Sequence, residues 1–412
     1  MARPASSEQP CAGAPGAAAP GEGSPDAGAP GEGSPGEGGR APRWRALVVS
    51  GSIGLGHAMV TEACHEALEG LGWSVRSVDA MALLGSRSGR AGERAFKILT
   101  RFHTVYDGLH FAHLRTGSRL ARALDRVPAR RLVPVLEAEL ASQPADLVLA
   151  AFATGASAAA SLKRRRPCLR TAVLCTDVSV HSMWAHEDID LFLVTSPAAA
   201  ASVRRFVPRA RVCVVPAPVR SAILAAPSRD EARAELEMAC DQPCVLLMGG
   251  GWGLGPLARA AAELARSGIT VLAVAGRNAA LERRLRTVAA AMPRVRAFGF
   301  TDRIPQLMAA ADIVITTPGA TTCSEARALG RPLLLLDAVP GHGRDNLQHE
   351  LEQGHAEVAG PDPAKLAAHV LAMLEDRSPA PVPVVDRWED GLQRALALLG
   401  LSAEAREVER SP

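Results

Sequence analysis

The chain has 412 residues, and at roughly 150 residues per domain that length predicts two or three domains. Lys and Arg total 46 against 43 Asp and Glu, a net +3, which excludes the global basic field of a nucleic-acid-binding protein. No apolar leader follows Met1 and no run of about 18 apolar residues occurs, so neither a secretory signal nor a membrane span is expected.

Residues 1–42 hold 10 Gly and 8 Pro, lack Val, Ile, Leu, Phe, Trp and Tyr, and repeat PGEGSP at 20–25 and 30–35. Such a segment cannot offset its ordering entropy by burying apolar surface, so a disordered tail is expected. It carries a net −3, leaving +6 on residues 43–412. The eight Cys are scattered, without a CxxC pair, and read as reduced cytoplasmic thiols.

From Arg43 onward short apolar runs alternate with helical patterns. The runs 46–49, 75–78, 146–150, 171–175, 191–194 and 212–215 form one series. After a Pro-containing linker at 216–228 a second series follows: 245–248, 270–275, 294–298, 313–316 and 332–336. Strand–helix alternation of this kind predicts an α/β protein with two doubly wound, Rossmann-like halves. The halves are placed at 43–220 and 221–382. In a closing segment, 383–412, Trp388, Leu392, Leu396 and Leu399 share one helical face.

Each series opens with a strand running into glycines: SGSIGLGH, Ser50 to His57, and GGGWGLG, Gly249 to Gly255. A strand, a glycine turn and a helix bring free N–H groups and a helix dipole to one point, which suits an anion. Two such loops at matching places predict a cleft between the halves. At 311–330 the text ADIVITTPGATTCSEARALG gives a strand, a Pro-Gly turn, two hydroxyls and a carboxylate. Glu325 there can accept both hydroxyls of a ribose, or it can be the capping-box partner of an N-cap Thr322.

The order of SIGLGH, CTDVSVHSMW (175–184), GGGWGLG, AGRN (275–278), FGF (298–300), TTPGATTCSEA and PGHGRDN (340–346) resembles the monogalactosyldiacylglycerol synthase and processive diacylglycerol glucosyltransferase family. That family is related to the bacterial enzyme that adds N-acetylglucosamine to the peptidoglycan lipid intermediate. The likeness runs from about residue 46 to 375. It implies a GT-B fold, with an N-terminal acceptor domain, a C-terminal nucleotide-sugar domain, a cleft between them and a last helix crossing back onto the first.

By the same resemblance Gly249, Gly250, Gly251 and the turn of Pro318, Gly319, Thr321 and Thr322 face the donor phosphates. Arg277, Asn278 and Phe300 flank the nucleotide, and Glu325 holds the ribose. Gly54, Gly56 and Trp184 belong to the acceptor side. His57 or Asp177 takes the proton of the acceptor hydroxyl, and the sequence leaves that choice open. The implied reaction is inverting transfer of a hexosyl group from a nucleotide-sugar, a uridine diphosphate sugar, to a lipid hydroxyl such as that of diacylglycerol. Two positions depart from the family pattern. Thr317 stands where a lysine commonly precedes the turn, and Gly341-His342-Gly343 replaces Gly-Gln-Glu, so Asp345 and Asn346 are the candidates for holding the sugar.

No metal or other cofactor is expected. Asp188 and Asp190 have the DxD form of metal-dependent transferases but precede a strand, and neither the pair His110 and His113 nor the pair His181 and His186 has a third ligand at a convincing spacing. Residues 94–131 concentrate nine basic residues against Asp107 and Asp125, with Phe96, Phe102, Tyr106 and Phe111 among them. That mixture predicts peripheral contact with an anionic membrane at its cytoplasmic face, each charge adding on the order of 1 kcal/mol. Three alternatives remain: a soluble transferase for small hydrophobic metabolites, a non-catalytic sugar-nucleotide-binding module, and an NAD enzyme using Asp79. The GxxGxG spacing weighs against the last.

Overall fold

The computed structural model describes residues 44–51, 55–85, 103–336, 339–354, 356–360, 362–375 and 387–402. The Gly/Pro-rich segment, Gly54 and the charged and aromatic residues at 94, 96, 97, 101 and 102 lie outside the described residues.

The first series of apolar runs forms β1 (Arg45–Ser50), β2 (Ser74–Asp79), β3 (Leu147–Ala150), β4 (Arg170–Cys175), β5 (Leu191–Val194) and β6 (Val212–Val214). The intervening helices are α1 (Gly56–Gly70), α2 (Ala80–Leu83), α3 (His103–Leu109), α4 (Arg119–Ser142), α5 (Ala153–Arg165) and α6 (Pro197–Phe206), with a π-turn at His110–Leu114 between α3 and α4. The second series gives β7 (Cys244–Met248), β8 (Thr270–Val274), β9 (Val295–Phe298), β10 (Ile313–Thr316), β11 (Leu333–Leu336) and β12 (Ala356–Ala359). Its helices are α7 (Ser221–Leu224), α8 (Arg229–Glu235), α9 (Leu257–Arg266), α10 (Ala279–Ala291), α11 (Ile304–Ala310), α12 (Ala320–Ala328), α13 (His342–Glu352) and α14 (Pro363–Glu375), followed by α15 (Trp388–Leu398).

All pairings are parallel. Strands such as Leu-Val-Leu-Ala in β3 and Cys-Val-Leu-Leu-Met in β7 are buried along their whole length. Continuous apolar runs of this kind belong to sheets covered by helices on both faces. The first sheet has the order β2-β1-β3-β4-β5-β6 and the second β12-β11-β10-β7-β8-β9. Read from β9, the second is the dinucleotide-binding order, whose winding reverses between β7 and β10; the first reverses between β1 and β3. Each reversal opens a crevice at the carboxyl ends of its strands, and the two crevices hold the two glycine loops.

Both sheets lie in the unit spanning residues 42–412. Helix α15 leaves the second sheet and covers one face of the first, where Trp388, Leu392, Ala395 and Leu396 join Trp44, Val60, Leu68 and Trp73 in a single buried cluster. The indole Nε1 of Trp388 donates to the carbonyl of Ala63 at 3.3 Å, and Arg211 donates to the carbonyl of Leu398 at 2.6 Å. An arginine on the last free carbonyls of a helix suits its negative end.

Candidate active site

The first crevice presents His57 in the opening turn of α1. Its Nδ1 lies 3.0 Å from the carbonyl oxygen of Ala151, the residue after β3. A carbonyl only accepts, so Nδ1 carries the hydrogen and Nε2 keeps a lone pair. The ring packs against Phe152 and Trp184, with centroids 5.1 Å and 6.1 Å away. This burial pushes the His57 pKa below its ordinary 6.5, against an opposing pull from Asp177 and the Ala151 hydrogen bond. The imidazole is therefore neutral near pH 7, with Nε2 unpartnered among the described residues.

Asp177 follows β4. Burial works to raise its carboxyl, but the imidazoles of His342 and His57, the Asn346 amide and His181 together hold it below the usual carboxylate range. An ionised carboxylate so stabilised is a weak proton acceptor and a good electrostatic partner for the ring beside it. The two candidate bases thus differ in character: His57 is a neutral base, and Asp177 is a fixed charge facing it.

Gly249, Gly250 and Gly251 fill the second crevice. A Cβ at Gly251 would overlap the side chain of Leu55, from the opposite glycine loop. Across the same gap Thr321 Oγ donates to the Gly56 carbonyl at 3.4 Å, so the two loops meet face to face. Arg277 donates its backbone N–H to the Gly251 carbonyl at 2.9 Å and lays its guanidinium 4.9 Å from the centroid of the Phe300 ring, which is 59% exposed. That pair offers a cation beside an open aromatic face. Asn278 is spent on the fold: its Oδ1 caps α10 at Leu281 N and its Nδ2 donates to the Trp252 carbonyl.

Helix α12 begins at Ala320 with Gly319 as N-cap and no side-chain cap, so Thr322 and Glu325 form no capping box. Pro318 and Gly319 make the turn and Thr322 lies in the first turn of the helix. Glu325 is buried, which pushes its pKa up, and Arg220 Nε donates to it at 2.8 Å. Thr321 and Asn346 line a cavity of about 110 Å³ with Thr176, Ser324, Arg327 and Glu350.

The segment 341–346 is bound to the first half along its whole length. Asp107 accepts from Gly341 N at 2.6 Å and lies 3.2 Å from Arg344. Tyr106 Oη is 3.2 Å from His342 Nδ1. Asp345 accepts from His110 Nε2 at 3.3 Å and from Arg115 at 3.1 Å, while Asn346 accepts from Val178 N and donates to Asp177, at 3.3 and 3.2 Å.

Residues 93–219 match the monogalactosyldiacylglycerol (MGDG) synthase model, and residues 245–376 match the glycosyltransferase family 28 C-terminal domain. Each model covers about a third of the chain, so the likeness to monogalactosyldiacylglycerol synthases lies in the first half and that to the family 28 glycosyltransferases in the second. The chain is 32% identical over 191 residues to a probable monogalactosyldiacylglycerol synthase, chloroplastic, of Glycine max, covering 43% of this chain and 36% of the relative. It is 27% identical over 198 residues to a processive diacylglycerol beta-glucosyltransferase of Bacillus licheniformis, covering 47% and 52%. The chain thus spans about half or less of these relatives' length. Among solved structures, sucrose-phosphate synthase from Thermosynechococcus elongatus superposes with a TM-score of 0.52 at 17% identity, over 89% of this chain and 98% of that one. MurG of Acinetobacter baumannii gives 0.50 at 15%, over 88% and 97%. The fold is GT-B.

The DxD carboxylates are engaged in ion pairs and a backbone hydrogen bond of the first half. Asp188 pairs with Arg164, while Asp190 pairs with Lys163 at 2.8 Å and accepts from Thr171 N at the start of β4. Among the described residues no group of three His, Cys, Asp or Glu side chains is arranged to hold a metal. Asp79 caps α2 through Met81 N and Ala82 N. The residues that local sequence did not single out for the cleft are Arg220, Tyr106, Asp107, Arg115 and His342.

Proposed function

We propose that this chain is an inverting glycosyltransferase that moves a hexosyl group from a uridine diphosphate sugar to the hydroxyl of diacylglycerol. The observation that carries this reading is a neutral His57, with Nε2 free, at the point where the two glycine loops meet. In a single displacement the acceptor oxygen attacks the anomeric carbon, His57 Nε2 takes the hydroxyl proton, and the nucleoside diphosphate leaves. The imidazolium so formed faces the ionised Asp177, which stabilises it. The leaving diphosphate meets the N–H groups of Gly249–Gly251, the start of α12 and the Arg277 guanidinium. Glu325, released from Arg220, accepts the ribose hydroxyls.

Peripheral contact with an anionic membrane is supported by α4. Leu120, Leu124, Val127 and Val135 lie exposed along one face of it. Arg122, Arg126 and Arg130 follow one another at i, i+4 and i+8 and form no direct salt bridge among the described residues, although Arg126 acts on the neighbouring Asp125 carboxylate. Like charges at that spacing cost a helix a few tenths of a kcal/mol each, roughly, and an anionic surface offsets the cost. No helix among the described residues is long and apolar enough to cross a membrane.

A sugar-nucleotide sensor is the competing reading, favoured by Thr317 and His342 at positions where the family carries other groups. A donor panel in diacylglycerol mixed micelles separates the two. A transferase releases uridine diphosphate with at least one sugar nucleotide; a sensor binds the nucleotide and releases none.

A further inference from the structure

The segment proposed to read the donor sugar does not stand on its own half of the protein. Asp345 has both oxygens engaged by the opposite lobe: Oδ2 by His110 and Oδ1 by Arg115. Ser179 adds a further hydrogen bond, and with His110 and Arg115 it holds the carboxyl below its ordinary range despite burial. An ionised carboxylate has about four lone-pair sites, so Asp345 keeps acceptor capacity for sugar hydroxyls, but its direction is fixed from across the cleft.

His110 is wholly buried and its Nδ1 has no partner among the described residues. Its Nε2 meets the Asp345 carboxylate, which can only accept, at 3.3 Å. The ring sits at the start of the π-turn His110–Leu114, a local widening of the helix that proteins keep mostly at functional positions. One turn earlier Asp107 holds Gly341 N and Arg344, and Tyr106 reaches His342. Gly341 has φ 66°, and a Cβ there would overlap the Tyr106 ring. Four acceptor-lobe side chains thus shape one donor-lobe turn.

We infer that donor-sugar selection in this protein is set jointly by the two lobes, with Asp107, His110 and Arg115 acting as positioning residues for Asp345. This inference rests on the glycosyltransferase reading above. When the lobes part, Asp345 loses its orientation and the nucleotide half of the site keeps its own groups, the Gly249–Gly251 loop, Arg277 and Glu325. Uridine diphosphate affinity and sugar discrimination are therefore separable properties.

Arg115 is the residue to test, because its side chain is 41% exposed and its replacement leaves the core intact. For wild type, R115M, R115K, D345N and R115M/D345N, the measured quantities are the uridine diphosphate Kd and the kcat/KM ratio for two sugar nucleotides epimeric at one hydroxyl. In R115M the ratio falls at least tenfold toward unity while the uridine diphosphate Kd stays within twofold. R115K recovers most of the ratio, and the double variant is no worse than D345N alone because both act through one carboxylate. If wild type binds no uridine diphosphate, the glycosyltransferase reading fails and this inference with it. If wild type discriminates and R115M does so equally, or if R115M weakens uridine diphosphate and sugar nucleotides alike, the inference alone is overturned.

Discussion

His57 Nδ1 lies 3.0 Å from the carbonyl oxygen of Ala151, which joins the helix after β1 to the residue after β3 across the reversal of the first sheet. That bond selects the tautomer with Nε2 free. His57→Ala removes the base and lowers kcat/KM by about 10²- to 10⁴-fold with uridine diphosphate affinity unchanged. Because burial lowers the His57 pKa from 6.5, its basic form persists below that pH, and the acid limb of the rate profile falls below 6.5. A limb centred above 6.5 contradicts the assignment.

Glu325 and Arg220 form an ion pair at 2.8 Å, which a ribose held by Glu325 would have to open. Glu325→Gln weakens uridine diphosphate binding by about tenfold, the equivalent of about 1.4 kcal/mol, and abolishes the preference for the ribose over the 2′-deoxyribose form. Titration of both nucleotides against both proteins checks this. A preference retained in the variant removes Glu325 from the ribose contact.

Burial chiefly, with His110, His342 and His57 adding to it, pushes His181 down to about 3. The unfolded chain protonates this group near 6.5 and the folded one does not, so the unfolded state binds the extra proton throughout the window between. Stability is complete above pH 6.5 and declines as pH falls toward 3, by at most about 1.4 kcal/mol per pH unit for this one group. His57 acts in the same direction. Urea midpoints at pH 7.5, 6.5 and 5.5 should fall in that order, with a shallower slope in His181→Asn; an equal slope contradicts the account.

Trp388→Ala empties the contact between α15 and the first sheet and removes the indole donor to the Ala63 carbonyl. The expected cost is about 3–5 kcal/mol, read from urea denaturation. A loss below about 1 kcal/mol means that the helix is not anchored there.

Replacing Arg122, Arg126 and Arg130 by Gln lowers sedimentation with vesicles containing anionic phospholipid and makes what remains less sensitive to added salt. Neutral vesicles report the apolar stripe alone. Sedimentation equal to wild type in the triple variant moves the membrane contact away from α4.

The sheets were legible because strands buried on both faces must read as continuous apolar runs, as in 245–248 and 313–316. β12 was missed because its Ala-Glu-Val-Ala sequence, with Glu357 and Val358 exposed at a sheet edge, carries no such run. Local pattern left Glu325 two roles, and the structure removes one: the helix starts at Ala320, so the Thr322 spacing that imitates a capping box falls inside it. The glycine loops announced the cleft, but the ties from Tyr106, Asp107, His110 and Arg115 to 341–345 join residues more than 200 positions apart, and no local periodicity encodes such a pairing. The different windings of the two sheets were hidden for the same reason, since strand order depends on long-range pairing.

Transfer to a lipid hydroxyl with His57 as base yields two products, a glycolipid and uridine diphosphate. The direct measurement is glycolipid formed and uridine diphosphate released when purified protein is given a uridine diphosphate sugar and diacylglycerol in mixed micelles. Wild type should form the two in equal amounts, with inverted anomeric configuration and only when diacylglycerol is present, and His57→Ala should fall by at least about a hundredfold. Uridine diphosphate release without glycolipid, or His57→Ala at the wild-type rate, would contradict it.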